Sequence, residues 1–316
     1  MKESFGLAAT LIAAAVLAPL LSPYGQHVLI LIALYGALAL AWNILGGMAG
    51  QISLGHALFV GTGAYVSTGL VVLLGVNPWI GLLCAILVGA GAGAGIGYVV
   101  FRRKLVGVYF ALVTLALAEI ALEIVSNVPA LGGANGLSIP PQPGVARLQF
   151  GSNLGFCYAA LALLAFVGGV ALAINRSRLA YVFLSIRENE KAAAALGIDV
   201  VRGKVTAATI SGALAAMIGP LYANYVLFID PESVLGPSMS IDALVFAFVG
   251  GLSALFGPLL GAAVLVPLTE ILRGLLGGRL AGVHLVVYGA VLILAMRFAP
   301  QGLWGLGAQF VRKVRR

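Results

Sequence analysis

The stretch VLILIALYGALALAWNILG, residues 28–46, contains no charged residue and is long enough to cross the hydrocarbon core of a bilayer as a helix. Runs of similar length and character recur along the 316 residues. Hydrophobic residues make up 61% of the chain and charged residues 9%, whereas a soluble domain has roughly 25% charged residues. Lipid offers no partner to a free backbone amide, so these spans must be helical. The sequence predicts an all-α polytopic membrane protein.

About ten transmembrane helices are predicted within a single transmembrane domain that covers residues 1–316. Their approximate limits are 5–21, 28–46, 52–74, 79–101, 105–127, 153–174, 205–228, 240–255, 257–275 and 281–299. The first run has no obvious small-residue cleavage site, so it is interpreted as a span and not as a signal peptide. Two interpretations of 240–275 stay open, two full spans or a re-entrant segment, because Arg273 and Arg279 otherwise fall in an outer loop.

The basic residues are placed as the positive-inside rule expects for cytoplasmic loops. They cluster in 102–104, in 175–204 and in the C-terminal tail, which predicts that both termini are cytoplasmic. The segment 128–152 contains one basic residue, Arg147, and is expected to be an extracytoplasmic loop. The net charge of +8 therefore comes from basic residues in the predicted cytoplasmic segments. No nucleic-acid partner is needed to explain it, and none is expected. The apolar composition predicts that the protein is embedded in a lipid bilayer.

A charged segment interrupts the apolar chain between the sixth and seventh spans. It reads NRSRLAYVFLSIRENEKAAAALGIDVVRGK, residues 175–204, and predicts a partly helical cytoplasmic docking surface. One part of it is similar to a phosphate loop. However, five residues instead of four separate Gly197 from Gly203, and Val205 stands where Ser or Thr must meet magnesium. We therefore expect no nucleotide site and no enzymatic activity in this chain, and an ATP-driven process would need a partner subunit.

Ionisable residues inside spans are the next candidates for function. Glu119 lies near the middle of the fifth span with Glu123 on the same helical face, and a carboxylate in lipid costs several kcal/mol. Two interpretations stay open: a proton relay or cargo-sensing group, and a pair that hydrogen-bonds neighbouring helices. His56 has no second His or Cys at ligand spacing, so we expect helix–helix hydrogen bonding and no metal. No cofactor site is predicted.

The chain contains a match between two distant segments. Gly50-Gln51-Ile52-Ser53 resembles Gly250-Gly251-Leu252-Ser253, 200 residues later, and both open a predicted span at the cytoplasmic side. Such an offset favours a parallel internal repeat, and transporters built from repeats often carry the substrate path between the copies. The candidate pathway residues are therefore Gly50, Ser53, His56, Glu119, Gly250 and Ser253.

Several segments, taken in order, resemble a known family of transport proteins. They are WNILGGMAGQISLGHALFVGTGAY (42–65), VGVYFALVTLALAEI (106–120), GGANGLS (132–138), IRENEKAAAALGI (186–198), FVGGLSALFGPLLGA (248–262) and FAPQGLWG (298–305). Together they identify the chain as similar to the LivM-like permease subunit of branched-chain amino-acid ABC importers. The ordered set covers nearly the whole chain.

The resemblance implies a heteromeric importer of branched-chain or related amino acids. A second permease subunit, cytoplasmic ATP-binding subunits and an extracytoplasmic substrate-binding protein are the implied partners. In ABC importers an Ala-Ala-x-x-x-Gly segment forms the helix that enters a groove on the ATPase. Ala192, Ala193 and Gly197 match that spacing, and with Arg187 and Glu188 they form the expected coupling surface.

Other interpretations remain beside this one. Lys191 stands where the general importer motif has Glu, which puts that specific contact in doubt. The cargo of an ABC permease of this type is alternatively urea, a short amide or another amino acid. A different class is an ion-coupled secondary transporter that uses Glu119. The expected location is the bacterial inner membrane.

Overall fold

Long apolar helices form most of the protein. The computed structural model describes residues 2–105, 107–252, 254–276 and 302–305, together with positions 286, 289, 290, 293 and 297. In this part of the chain, eight helical segments are long and apolar enough to cross a membrane: 23–48, 56–74, 78–102, 108–126, 153–175, 200–226, 231–250 and 257–274. A shorter apolar helix, Gly6–Leu20, precedes them. The prediction of an all-α polytopic membrane protein is confirmed.

The helices are numbered in chain order. They are α1 (Lys2–Leu17), α2 (Pro23–Asn43), α3 (His56–Leu74), α4 (Pro78–Arg102), α5 (Val108–Ser126), α6 (Asn153–Asn175), α7 (Arg178–Glu188), α8 (Glu190–Ala195), α9 (Val200–Val226), α10 (Pro231–Leu235), α11 (Pro237–Gly250) and α12 (Gly257–Leu276). Two short strands, β1 (Leu137–Ser138) and β2 (Phe228–Ile229), pair antiparallel.

Polar side chains start several spans, as is typical of helix N-termini. Ser22, Asn77 and Ser152 accept hydrogen bonds from backbone N–H groups in the first turns of α2, α4 and α6. Each cap satisfies a backbone donor that would otherwise lack a partner where the helix enters the membrane. The limits of these spans therefore follow from local sequence.

Short connections reverse the chain between successive spans, which gives the bundle two distinct ends. The α7–α8 end holds α7 and α8 together with the connections 49–55 and 251–256, and the backbone of Gly50 lies against Arg187 there. The β1–β2 end holds 127–152 and 227–236, which meet where Leu137 pairs with Ile229. These two ends separate the sites described below.

Helix α9 lies at the centre of the bundle, packed against α4, α3 and α2. Glycines permit the backbones to approach closely. A Cβ atom at Gly93 of α4 would collide with the carbonyl oxygen of Ala208, and one at Gly63 of α3 would collide with that of Ala216. Small residues allow this contact between membrane helices, where dispersion forces instead of the hydrophobic effect hold the helices together.

Several predicted spans have different limits in the structure, and two of them differ because the helix ends or begins beside a glycine turn. The third was expected to begin at residue 52, but α3 begins at His56, because α2 ends in a π-helical turn, Ile44–Met48, and Gly50 has a left-handed φ of +71°. The eighth was expected over 240–255, but α11 ends at Gly250, and Gly251 leaves the helix with a φ of +111°. Residues 49–55 are therefore a non-helical connection.

The region 240–275 forms two helices, α11 and α12, joined by a turn. Their backbones touch at glycines, since a Cβ atom at Gly250 would collide with the carbonyl oxygen of Gly257 and one at Gly261 with that of Phe246. The predicted tenth span, 281–299, and most of the C-terminal tail lie outside the described residues apart from isolated positions. The proposed repeat stays a prediction.

We expect Gly93→Ala to destabilise the protein, because the added methyl group meets the Ala208 carbonyl. Overpacking of this kind costs about 1–3 kcal/mol. Gly91→Ala is the matched control on the same helix, since a Cβ atom there has no neighbour within 4 Å. Thermal unfolding of the purified protein in detergent measures both. Equal unfolding temperatures for the two variants would contradict the described α4–α9 contact.

Candidate functional site

The charged segment 175–204 folds into two helices at one end of the bundle. Helix α7 is amphipathic: it buries Phe183 and Ile186 and leaves most of its other side chains accessible. The side chain of Asn189 then accepts a hydrogen bond from the backbone N–H of Ala192 and caps the start of α8. An ordered helical pair therefore projects from the end of the spans.

Gly197 terminates α8 in a conformation that favours glycine. Its φ is +85°, and the N–H of the next residue, Ile198, donates to the carbonyl of Ala193. A left-handed residue just after the helix, with this backbone bond, is a common way to end a helix. The predicted importance of Gly197 thus has a local structural reason, independent of any partner.

The expected coupling residues differ in how they face solvent. Arg187, Glu188 and Ala192 are exposed, whereas Ala193 is only 2% exposed and packs inside the chain. The spacing of the two alanines places adjacent residues on different faces of α8. Ala192 is therefore available to a partner, and Ala193 anchors α8 to the bundle.

Large apolar side chains on this segment are exposed, and sequence analysis did not single them out. Leu196 is 81% exposed, Tyr181 75% and Leu184 51%. Apolar residues in a segment otherwise rich in charge were the available signal. Moving such side chains out of water lowers the free energy of the system. This surface is therefore suited to contact with another protein.

Arg187 joins the predicted coupling segment to the predicted pathway. Its Nη1 atom donates to the carbonyl oxygen of Gly47, in the π-helical turn at the end of α2, over 2.8 Å. The Arg187 side chain also lies against Gly50, where a Cβ atom would come within 3.0 Å of its Cγ atom. The structure thus brings together two candidate groups that the sequence separates by more than a hundred residues.

A second polar contact joins α8 to the central helix. Lys204, at the start of α9, forms an ion pair with Glu190 of α8, and its side chain is only 3% exposed. The Lys204 Nζ atom also lies 5.3 Å from the ring centroid of Phe101 in α4. A buried ammonium group needs such partners, because an unpaired buried charge is costly. Helices α8, α9 and α4 are therefore fixed to one another.

A cavity of about 300 Å³ lies beside α7, at the end of α2. It is bounded by the π-helical turn, α7 and the 251–256 connection; its lining includes Asn43, Gly47, Tyr181, Arg187, Leu252 and Leu255. The π-helical turn before Gly50 and the connection after Gly250 thus meet at one space beside α7. Ser253, the last pathway candidate, lies outside the described residues.

His56 forms a buried hydrogen-bond chain between helices, as predicted. The Ser211 hydroxyl donates to the carbonyl oxygen of Ala41 over 2.7 Å, so it accepts from His56 Nε2 at 2.8 Å. The other ring nitrogen, Nδ1, has no hydrogen-bond partner. This chain connects α3, α9 and α2. No group of three or more metal-binding side chains occurs within the described residues.

The remaining pathway candidates have contrasting surroundings. Ser53 is 1% exposed and accepts from the N–H of Gly55 through its hydroxyl oxygen, and its carbonyl oxygen accepts from the indole of Trp42. Gly250 is buried against α12. Glu119 is half-buried on α5, a helix that leaves much of its surface exposed. Ser53 and Gly250 contribute to internal packing, whereas Glu119 lies near an uncovered face.

Comparisons with known proteins give one consistent family. The family model described as "Branched-chain amino acid transport system / permease component" matches residues 24–296. The "High-affinity branched-chain amino acid transport system permease protein LivM" of Escherichia coli (strain K12) is 32% identical to this chain. The alignment is 329 positions long and covers 96% of this chain and 75% of that protein. The protein of the same name from Salmonella typhimurium is 31% identical over 296 residues, which cover 85% of this chain and 67% of that protein.

A more distant relative has another cargo in its name. The "Autoinducer 2 import system permease protein LsrC" of Enterobacter sp. (strain 638) is 29% identical over 201 residues, which cover 61% of this chain and 55% of that protein. No solved structure matches the chain.

We expect Ser211→Ala to destabilise the protein by about 1–3 kcal/mol, because it leaves the buried His56 Nε2 atom without its hydrogen-bond partner. Ser67→Ala is the matched control, since the buried Ser67 hydroxyl has no hydrogen-bond partner to lose. Thermal unfolding in detergent compares the two variants. A Ser67→Ala variant that is destabilised as much as Ser211→Ala would contradict this account of the hydrogen-bond chain.

Proposed function

The chain belongs to the family of branched-chain amino acid transport permeases, and from this premise we propose that it is the LivM-type membrane subunit of an ATP-driven importer. It is a membrane protein and a transporter by family, and we infer that hydrolysis takes place on partner ATPases. The observation that carries this proposal is the pair α7–α8, an ordered charged segment that presents Leu196 with 81% of its surface exposed. A segment of this kind suits a docked subunit.

The docking surface that we propose consists of Arg187, Glu188, Ala192, Leu196 and Gly197. A small alanine and an exposed leucine on α8 allow close apolar contact, and the surrounding charges favour a specific polar rim. Burial of a leucine side chain contributes about 1.5–3 kcal/mol. Leu196 is therefore the anchor of the proposed contact with the ATPase. Lys191 leaves the role of a glutamate in this contact open.

Motion of the docked ATPase would reach the spans through two contacts. The Arg187 guanidinium holds the Gly47 carbonyl, and the Lys204–Glu190 ion pair ties α8 to α9. A displacement of α7–α8 would therefore act on the end of α2, on α9 and on the cavity between α2 and α7. ATP binding and hydrolysis would shift the population between inward-open and outward-open states by this route.

The second permease subunit is proposed to cover the open face of α5. Leu112 and Ile120 are exposed there, and Glu119 is half-buried beside them. A carboxylate near the middle of a span is costly in lipid, so protein or a water-filled path suits this face better. The outer face of α4, which exposes Leu83, Leu87 and Val88, has no such group and suits lipid.

We propose that the α7–α8 end faces the cytoplasm of a bacterial inner membrane. Arg176, Arg178, Lys191 and Arg202 at that end follow the positive-inside rule. The N-terminus and the C-terminal tail would then also be cytoplasmic. The β1–β2 end, with the loop 128–152, would face the substrate-binding protein. Urea, a short amide or another amino acid is the alternative cargo.

We expect Leu196→Asp to lower ATP-driven leucine uptake by roughly tenfold or more, because it removes the apolar anchor of ATPase docking. The measurement uses proteoliposomes with the second permease, the ATPases and the binding protein. Val145→Asp is the control for recovery of bound ATPase, which we expect it to leave unchanged, since Val145 is 65% exposed at the opposite, β1–β2 end.

Two results would contradict this proposal. Uptake by this chain alone, without ATP or partners, would exclude an importer subunit and favour a secondary transporter. Normal uptake by Leu196→Asp, with normal recovery of bound ATPase, would exclude the docking surface.

We expect Leu112→Trp to lower recovery of the second permease in co-purification by roughly tenfold, because overpacking of an interface costs about 1–3 kcal/mol. Leu87→Trp on the outer face of α4 is the control, since a tryptophan there would enter lipid. Loss of the second permease with Leu87→Trp but not with Leu112→Trp would place the interface on α4 and refute the proposal.

A further inference from the structure

A second cavity lies between α2, α9, α11 and α12, near the β1–β2 end. Its volume is about 200 Å³, below the roughly 300–1,000 Å³ of cavities that hold drug-sized ligands, which suits a molecule of few atoms. The lining combines acidic, basic, hydroxyl and apolar groups. It lies within one chain and is separate from the cavity beside α7.

One side of this cavity is already paired. The Glu270 carboxylate forms an ion pair with Arg273, 3.2 Å from Oε1 to Nη1. His27 Nε2 lies 4.0 Å from the other oxygen of Glu270, and its Nδ1 atom lies 2.5 Å from the Tyr225 hydroxyl. Glu270 therefore has its counter-charge. The Arg273 side chain stays 63% exposed, so the guanidinium retains free donors.

The other side carries polar groups without partners. Asp242 of α11 forms no hydrogen bond and no ion pair with any described residue. The hydroxyl groups of Tyr35 and Tyr222 also form no hydrogen bond with any described residue. The three groups line the same cavity as Glu270 and Arg273. A carboxylate inside a span normally pairs with a cation or marks a substrate path.

Apolar side chains complete the lining. Leu31, Phe246 and Val266 line the cavity beside the polar groups. A ligand that fits all three parts has a positive group for Asp242, a negative group for Arg273 and an aliphatic portion. These features belong together in an aliphatic α-amino acid.

We propose that this cavity is a transit site within the chain for a zwitterionic aliphatic amino acid. Asp242, with the Tyr35 hydroxyl, receives the ammonium group, and the outer donors of Arg273 receive the carboxylate. Leu31, Phe246 and Val266 contact the aliphatic side chain. This inference rests on the proposed function and adds a location and a recognition chemistry to it.

The first experiment labels the wild-type complex. A leucine analogue with a side-chain diazirine is added to the complete importer in lipid nanodiscs, and mass spectrometry locates the label after illumination. We expect label on the α2, α11 or α12 residues that line the cavity, with at least about tenfold less in Asp242→Asn. Wild-type protein without label at this cavity would overturn the inference, whether or not the variant assembles.

Competition during labelling tests the chemistry of the ligand. We expect excess leucine to suppress the label about tenfold more effectively than leucinol, which lacks the carboxylate, or 4-methylpentanoate, which lacks the ammonium group. Suppression by leucinol or by sodium ions that equals suppression by leucine would identify a cation site and overturn the zwitterion proposal.

A transport measurement then tests use of the site. We expect Asp242→Asn to lower leucine uptake about tenfold while ATP hydrolysis by the complex is retained. Normal uptake by Asp242→Asn would overturn the inference about this cavity and would leave the proposed function unaffected. Absence of ATP-dependent uptake by the wild-type complex would instead overturn the proposed function, and labelling, which needs no transport, would still decide the inference.

Discussion

The close contact of α9 with α3 and α4 positions three of the polar groups described above. It requires glycine where backbones meet, as at Gly63 and Gly93. From α9, Lys204 reaches Glu190, Ser211 reaches His56, and Tyr222 lines the cavity between α2, α9, α11 and α12. These three residues are spaced along one helix from end to end, so a shift of α9 moves all three environments together.

This arrangement suggests how events at the two ends of the bundle are linked. At the α7–α8 end, Arg187 and Lys204 tie the proposed docking segment to α2 and α9. At the other end the same two helices contribute Tyr35 and Tyr222 to the cavity proposed for the amino acid. Rigid helices that touch both regions give a physical connection without any extended chain of charges across the membrane. The π-helical turn at the end of α2 is the local irregularity where Arg187 acts.

Much of the fold could be predicted because a bilayer permits few solutions. Apolar runs of sufficient length must be helices, and eight of the predicted spans correspond to such helices within the described residues. The limits at residues 52 and 255 were wrong, since a pattern of apolar residues continues through a turn when that turn is buried. Gly50 and Gly251 adopt left-handed φ angles there, and only the backbone conformation shows this.

The sequence by itself determined the class of the protein, the position of its charged helical segment and its family resemblance, because these depend on composition and local order. Only the tertiary structure decided which groups meet. It placed Arg187 on Gly47, turned Ala193 inward, exposed Leu196 and set Asp242, which has no hydrogen bond or ion pair to a described residue, in a cavity formed by four helices. Such contacts join residues far apart in the chain, and they depend on how closely two backbones approach. That distance is a property of helix pairs, which the pattern of a single helix does not contain.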